Sequence, residues 1–427
     1  MSLVYIRNAA QLITMAGPNE KPRTGAAMSE LGVIENGGLV LDGERIAFVG
    51  SDAEAASFVE RSEGGHEVTV IDATGRTVAP GLVDPHTHVV FAGSRESELD
   101  MRLHGATYMQ IMNAGGGIHY STERMREASE EQLVRETEKR LDRFLAHGVT
   151  TIEAKSGYGL RLEDELKQLR AARALNERHP VELVSTFMGA HAVPREYKTD
   201  PDAYVRLVVE EMIPAVAREG LAEYCDVFCE EGVFTPEQSR AVLEAGKQWG
   251  LKPKIHADEI VPYGGAELAA EVGAVSAEHL LRASGEGIRA MAAKGVIAVL
   301  LPGTAFFLMT KPADARAMIE AGVPVALSTD RNPGSSPTES LPFVMNLACL
   351  TMGMTPSEVL TACTINAAHA IGRADRIGSL EPGKQADVVI FDAPNYLYLQ
   401  YHYAVNLVET VIKQGKPVIV SGRRTDR

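Results

Sequence analysis

Val83-Asp84-Pro85-His86-Thr87-His88 closes an extended apolar run that opens at Arg76-Thr77-Val78-Ala79-Pro80-Gly81-Leu82. In a β-strand, side chains at i and i+2 leave the same face, roughly 6.6 Å apart along the chain. Two imidazoles so placed can converge on one cation at metal–nitrogen distances of about 2.0–2.1 Å. A polar loop could carry the same pair, and the remainder of the chain decides between the two. Seven further β-rich runs follow, and several of them also end in a histidine or a carboxylate.

The eight candidate strands are 78–89, 149–154, 181–189, 225–229, 253–257, 274–279, 296–301 and 324–329. Helix-like segments lie between most of them, at 130–148, 162–179, 203–220, 236–250, 266–273, 285–295 and 313–322, and several end in Gly, as a left-handed C-cap requires. Eight β/α repeats closing into a barrel is the economical architecture, with an open doubly wound sheet as the alternative. The two ends differ from this middle. Short β-like runs broken by Gly occupy residues 1–75, among them Gly38 to Gly50, and the pattern returns after residue 372 in Ala386–Phe391 and Val408–Lys413. Asp42-Gly43 and Gln414-Gly415-Lys416 look like hairpin turns. The expectation is therefore an α/β protein: a (β/α)8 TIM-like barrel over 80–371 and a small β-sandwich domain built from 1–79 plus 372–427.

A chain of 427 residues exceeds the usual single-core size, in keeping with a large barrel and a smaller companion. The 45% hydrophobic and 23% charged fractions are those of an ordinary globular protein. A net charge of −15, with no basic stripe to neutralise phosphates, argues against nucleic acid. It also means that an anionic substrate needs a local cationic hook. The N-terminus lacks a basic segment leading into an apolar one, and no run of about 18 apolar residues predicts a membrane span. The expected location is cytoplasmic. Four cysteines make no disulfide framework. Cys225 and Cys229 invite a zinc reading, but no second Cys/His pair lies nearby, so buried thiols are expected.

Active sites of β/α barrels gather at the C-terminal ends of the strands. His86 and His88 hold that position on the first strand, His256 on the fifth within Lys254-Ile255-His256-Ala257-Asp258-Glu259, and His279 on the sixth. The eighth runs Leu327-Ser328-Thr329-Asp330-Arg331-Asn332-Pro333-Gly334. One such histidine would be an ordinary capping residue; the coincidence at one rim is what points to a site.

With these residues in view, the chain resembles the amidohydrolase superfamily, which carries His-x-His on strand one, His on strands five and six, and Asp on strand eight. The resemblance spans the whole chain. It narrows, through His86 to Arg95, Gly115-Gly116-Gly117-Ile118, Glu153 to Leu160, His191-Ala192-Val193-Pro194 and Asp330 to Gly334, to members that open an imidazolone ring in histidine breakdown. Binuclear members bridge their metals with a carboxylated lysine at the end of strand four, whereas here that strand ends Cys229-Glu230-Glu231-Gly232, with Glu230 as the one alternative bridge. Lys155 ends strand two, and Lys252 and Lys254 lie at the opposite rim of strand five. The resemblance thus implies one zinc or iron ion per chain, held by His86, His88, His256 and Asp330, with nitrogen and oxygen donors that suit either metal.

The implied catalytic residues are Asp330 as general base, His279 as the donor to the developing oxyanion, and Glu259 as a contact to a ring nitrogen that moves a proton to the departing nitrogen. The implied substrate is a small imidazolone carboxylate. Arg95 can grip its carboxylate in two parallel hydrogen bonds, unless it is a surface arginine paired with Glu96 or Glu98. By the same carry-over Tyr158, His191, Glu259, Asn332, Gly334 and Ser335 resemble substrate contacts, and Tyr108 is either another or loop packing. Gly115 to Gly117 lack the Lys-Ser/Thr that follows a phosphate cradle and are expected to form a mobile loop over the site. The resemblance also implies a homodimer. Two other functions compete: deamination of an aminated heterocycle by the same chemistry, and a scaffold that has lost its metal.

Overall fold

The computed structural model describes residues 2–62, 67–106, 110 and 115–425. Eight parallel strands lie side by side in chain order: β6 (Leu82–Asp84), β7 (Val149–Lys155), β8 (Glu182–Ala190), β9 (Tyr224–Cys229), β10 (Lys252–Ala257), β11 (Ser276–His279), β12 (Ile297–Leu300) and β13 (Val325–Leu327). The first and last meet just beyond their ends. Thr87 and Arg331 form a parallel bridge, the His88 amide donates to the Arg331 carbonyl at 2.9 Å, and the Ser328 hydroxyl donates to Asp84 and to the His86 carbonyl. The expected TIM-like barrel is the observed one.

Local chemistry explains the outer helices. Glu130–Ala146 starts on Ser129, whose hydroxyl accepts from the Gln132 amide, and buries Leu133, Leu141 and Phe144 against the strands. Pro236–Gln248 starts on a Thr235/Gln238 capping box with Pro at the first turn. The expected helix 203–220 is interrupted: Pro201–Leu207 passes through a π turn at Val208–Met212 into Ile213–Arg218. Pro214 can neither donate to the ladder nor tolerate the carbonyl of residue 210, and the wider turn accommodates both.

The expected first strand also divides. Thr77–Pro80 (β5 in chain order) pairs with a terminal strand, Gly81 turns the chain, and β6 ends at Asp84, before Pro85. His86 and His88 therefore follow the strand instead of standing on its face. Pro85 has no amide for a ladder, and the Thr87–Arg331 bridge takes over the task of aiming both imidazoles inward.

The second sheet joins both termini: β1 (Ser2–Ile13), β2 (Val33–Asp42), β3 (Arg45–Ser51), β4 (Glu67–Asp72) and β5 form one sheet with β14 (Val388–Phe391), β15 (Val408–Lys413), β16 (Lys416–Val420) and β17 (Arg423–Arg424), linked by the antiparallel β5–β14 pair. Val4, Ile6, Leu39 and Leu41 share one core with Val388, Ile390 and Ile412, the packing of a β-sandwich. Its hairpins turn at Asp42-Gly43 and at Gln414-Gly415, where φ of 50° and 74° needs the left-handed region. All four cysteines are unpaired, and Cys225, Cys229 and Cys363 are buried. Among the described residues no helix is long and apolar enough to cross a membrane.

Candidate active site

A cavity of about 650 Å³ opens at the C-terminal ends of the barrel strands, lined among others by His88, Arg95, Tyr158, His191, His256, Glu259, His279, Asp330, Asn332, Gly334 and Ser335. His86 stands behind His88, fully buried, with ring centroids 5.3 Å apart. Tyr108 lies outside the described residues.

His86, His88 and Asp330 converge at the floor, and His256 meets them beside His88. His88 and His256 turn their Nε2 atoms toward each other at 3.3 Å, while Asp330 Oδ1 lies 3.4 Å from His86 Nε2 and 3.9 Å from His88 Nε2. Two imidazole lone pairs at that separation repel unless a proton or a cation stands between them. His86 Nε2 is buried without a well-directed hydrogen bond. Buried donors of this type, left unsatisfied, fit a metal ion. His86, His256 and His279 form an overlapping candidate group.

Backbone strain collects here. Asp258, His279, Leu280 and Asp330 all adopt positive φ at the ends of β10, β11 and β13. Non-glycine residues hold that conformation at a cost; His279 and Asp330 line the cavity, while the Asp258 carboxylate accepts the Tyr263, Gly265 and Ala266 amides.

The electrostatics sort the groups. Burial pushes the Asp330 carboxyl up, but the neighbouring His86 and the Thr304 hydroxyl outweigh it and bring it to about 2. Burial, then the charges of Asp330 and Glu230, push Glu259 up to about 8, so it keeps its proton at neutral pH. Burial drives His279 well below its usual value, and Glu259 Oε1 stands 3.5 Å from its Nδ1. His191 is held near 3, first by burial and then by His256, so its Nδ1 must donate to the Gly157 carbonyl at 3.0 Å. Its ring stacks on His88 with centroids 4.8 Å apart. Burial raises the Tyr158 phenol, which therefore stays a donor.

Arg95 makes the expected pair with Glu98 and also faces the cavity: its Nε and Nη2 each donate to Glu98 at 2.8 Å. Glu98 in turn accepts the Gly117 amide at 2.7 Å, so the glycine segment is tied to the arginine loop at Gly117, whose φ of 75° favours glycine. Asn332 is engaged within its own turn: Oδ1 accepts from the Gly334 and Ser335 amides at 2.8 and 2.7 Å, and Nδ2 donates to the Asp330 carbonyl. It shapes the loop around Gly334.

The amidohydrolase family signature spans residues 77–423. An imidazolonepropionase from Shouchella clausii is 67% identical over 420 residues, covering 98% of this chain and 94% of its own. Another, from Geobacillus kaustophilus, is 66% identical and covers 99% of both chains. The chain belongs to the imidazolonepropionases of the amidohydrolase family. The fold recurs in a solved adenosine deaminase from Xanthomonas campestris with bound zinc, at a TM-score of 0.74 and 19% identity, over 99% of this chain and 94% of that one.

Around this site stand residues to which strand-end reasoning gave no supporting role. Thr304, on the short helix Pro302–Phe307 after β12, donates to Asp330 Oδ2 at 2.6 Å and leaves Oδ1 facing the histidines. Glu230 accepts from the amides of Glu259, Ile260 and Val261 at 2.9, 2.9 and 3.2 Å, which makes it the clamp of the loop that carries Glu259. Glu278 Oε2 approaches His86 Nδ1 to 2.6 Å, off the direction of a hydrogen bond, and acts there as a charge. Asp226 reaches His256. Each is a polar residue in or beside an apolar strand, which was the available signal.

Proposed function

We propose that the protein hydrolyses the ring amide of 4-imidazolone-5-propanoate to N-formimidoyl-L-glutamate, with one zinc or iron ion held by His86, His88, His256 and Asp330. The observation that carries this is one cavity combining a convergent nitrogen and oxygen donor set with the Arg95 guanidinium. The engagement of Glu230 with three loop amides supports a single ion, since the one alternative bridging carboxylate is occupied. Residues 80–371 would form the catalytic unit, and 1–79 with 372–427 the supporting domain.

When bound, such an ion supplies hydroxide at neutral pH by lowering the pKa of coordinated water toward about 7. The protein does the rest. Asp330, ionised at neutral pH, accepts a proton at Oδ1 while Thr304 holds Oδ2. His279 is neutral and lines the cavity, so its Nε2–H can donate to the carbonyl oxygen as charge develops. Glu259, protonated at rest, delivers its proton to the departing ring nitrogen, so each proton taken at Asp330 is matched by one given to the leaving group. Arg95 grips the propionate, and Tyr158 and His191 bracket the ring.

A deaminase would use the same floor, but nucleobases carry no carboxylate for Arg95. The test is to incubate purified protein with 4-imidazolone-5-propanoate, follow loss of ring absorbance, and identify the product by mass spectrometry. Formimidoylglutamate formed by the metal-loaded protein and not by the chelated one is the expected result. Ammonia release with an intact ring, or no turnover with metal bound, would overturn the assignment.

A further inference from the structure

Beneath the rim, four strands, the adjacent β9, β10 and β11 together with β7 across β8, send charged side chains into the barrel interior, where branched apolar residues usually pack. Glu153 and Lys155 come from β7, Asp226 from β9, Lys254 from β10 and Glu278 from β11, and none exceeds 1% exposure. Lys155 Nζ lies 2.7 Å from Asp226 Oδ2, 2.9 Å from Glu153 Oε2 and 2.9 Å from Glu278 Oε2. Lys254 Nζ lies 2.7 Å from Glu153 Oε1 and 3.2 Å from Glu278 Oε1. Three carboxylates thus meet two ammoniums. Burying such a cluster is a poor way to gain stability, because desolvation offsets most of the attraction.

The cluster has a directed end. Asp226 Oδ1 and Oδ2 stand 3.2 and 3.1 Å from His256 Nδ1, and Oδ1 also accepts the His256 backbone amide at 3.2 Å. A carboxylate oxygen accepts, so the His256 Nδ1 that faces both oxygens is placed as the donor. The lone pair is then on Nε2, the atom that faces His88 across the cavity floor. Lys155 fixes the other side of Asp226 through its shortest contact.

We propose that Asp226 is a positioning residue: it locks His256 in the Nδ1–H tautomer with Nε2 presented to the ion, and Lys155 holds Asp226 in that orientation. This rests on the metal-site reading above. Glu153 serves as the internal comparison. It shares the burial and touches both lysines, yet its hydrogen bonds go to Thr186 and Lys254 and to no imidazole.

The test measures zinc affinity of the folded protein by competition with a chromophoric chelator, alongside thermal unfolding of the metal-free form. Asp226→Asn should weaken zinc binding by about 10- to 100-fold, because an amide can turn its NH2 toward Nδ1 and no longer dictates the tautomer. Should that variant fold poorly with Lys155 left unpaired, Asp226→Asn with Lys155→Met removes both charges together and should show the same loss of affinity. Glu153→Gln should lower the melting temperature while leaving zinc affinity within about threefold of wild type. The proposal is overturned if a folded Asp226 variant binds zinc as tightly as wild type, or if Glu153→Gln weakens binding as much as Asp226→Asn. A wild-type protein that binds neither zinc nor iron would overturn the metal-site reading, and this inference with it.

Discussion

Gly334 sets where the Arg95 guanidinium can sit in the cavity. A Cβ built on Gly334 would lie 2.5 Å from Arg95 Cζ and 2.9 Å from Nη2, and would overlap Nη1 outright. The backbone cannot retreat easily, since Asn332 Oδ1 holds the amides of both Gly334 and Ser335. The arginine is pinned from the other side by its paired bonds to Glu98. Reaching an ordinary contact of about 3.5–4 Å requires the guanidinium to move by about 1 Å. A displacement of that size in a substrate-positioning group costs on the order of 10²-fold in rate, or about 2.7 kcal/mol in transition-state stabilisation. Gly334→Ala should therefore lower kcat/KM for 4-imidazolone-5-propanoate by about 10²-fold, while an imidazolone lacking the propionate changes by no more than about threefold. Steady-state kinetics on both compounds, with metal content checked, gives the comparison. An equal loss on both compounds would show that the glycine serves the ring or the fold; wild-type rates on the natural candidate would refute the placement of Arg95.

Further expectations follow from the same geometry. Arg95→Met should raise KM strongly for the propionate substrate only, and combined with Gly334→Ala the losses should fall well short of adding, since both remove one contact; additive losses would separate the two residues. Asp330→Asn should keep the fold and abolish turnover, as seen by circular dichroism beside activity, and substantial remaining activity would exclude it as proton acceptor. His279→Ala should reduce kcat by about 10² or more with metal retained, and a wild-type kcat would remove it from the oxyanion. Glu259 retains its proton up to about pH 8, so kcat should fall as pH rises through that value, and Glu259→Gln should abolish this alkaline limb along with most of the rate; a limb that persists in the variant belongs to another group. The same shift bears on stability. Between its ordinary value of 4.5 and about 8, the unfolded chain releases a proton that the folded one keeps, so Glu259 makes folding less favourable as pH rises across that window, and Glu259→Gln should flatten the trend in denaturant titrations.

Much of this was legible in the sequence because a parallel barrel repeats one rule. An apolar run ending in a polar residue marks a strand and its catalytic end at once, which is why the sequence alone puts His256, His279 and Asp330 at one rim. The rule failed where covalent geometry intervened. Pro80-Gly81 and Pro85 divided the expected first strand between two sheets, although both histidines still reached the floor through the Thr87–Arg331 bridge. It was also silent about depth. Glu153, Lys155, Asp226, Lys254 and Glu278 sit within strands, and whether they point into the barrel or outward depends on register, which no single strand declares. Arg95 shows a third limit: spacing offered a surface ion pair or a substrate contact as alternatives, whereas the folded chain makes the ion pair the support of a cavity-lining guanidinium. Thr304 was hidden because strand seven ends in no titratable group, and its role exists only through Asp330.

The most direct test of the central claim is where solvent oxygen enters. Turnover of 4-imidazolone-5-propanoate in water enriched in 18O, analysed by mass spectrometry with fragmentation of the product, should place one label in the newly formed α-carboxylate of formimidoylglutamate, with the propionate-derived carboxylate unlabelled. Label elsewhere, or a labelled ring carbonyl with release of ammonia, would contradict hydrolysis of the ring amide at this site.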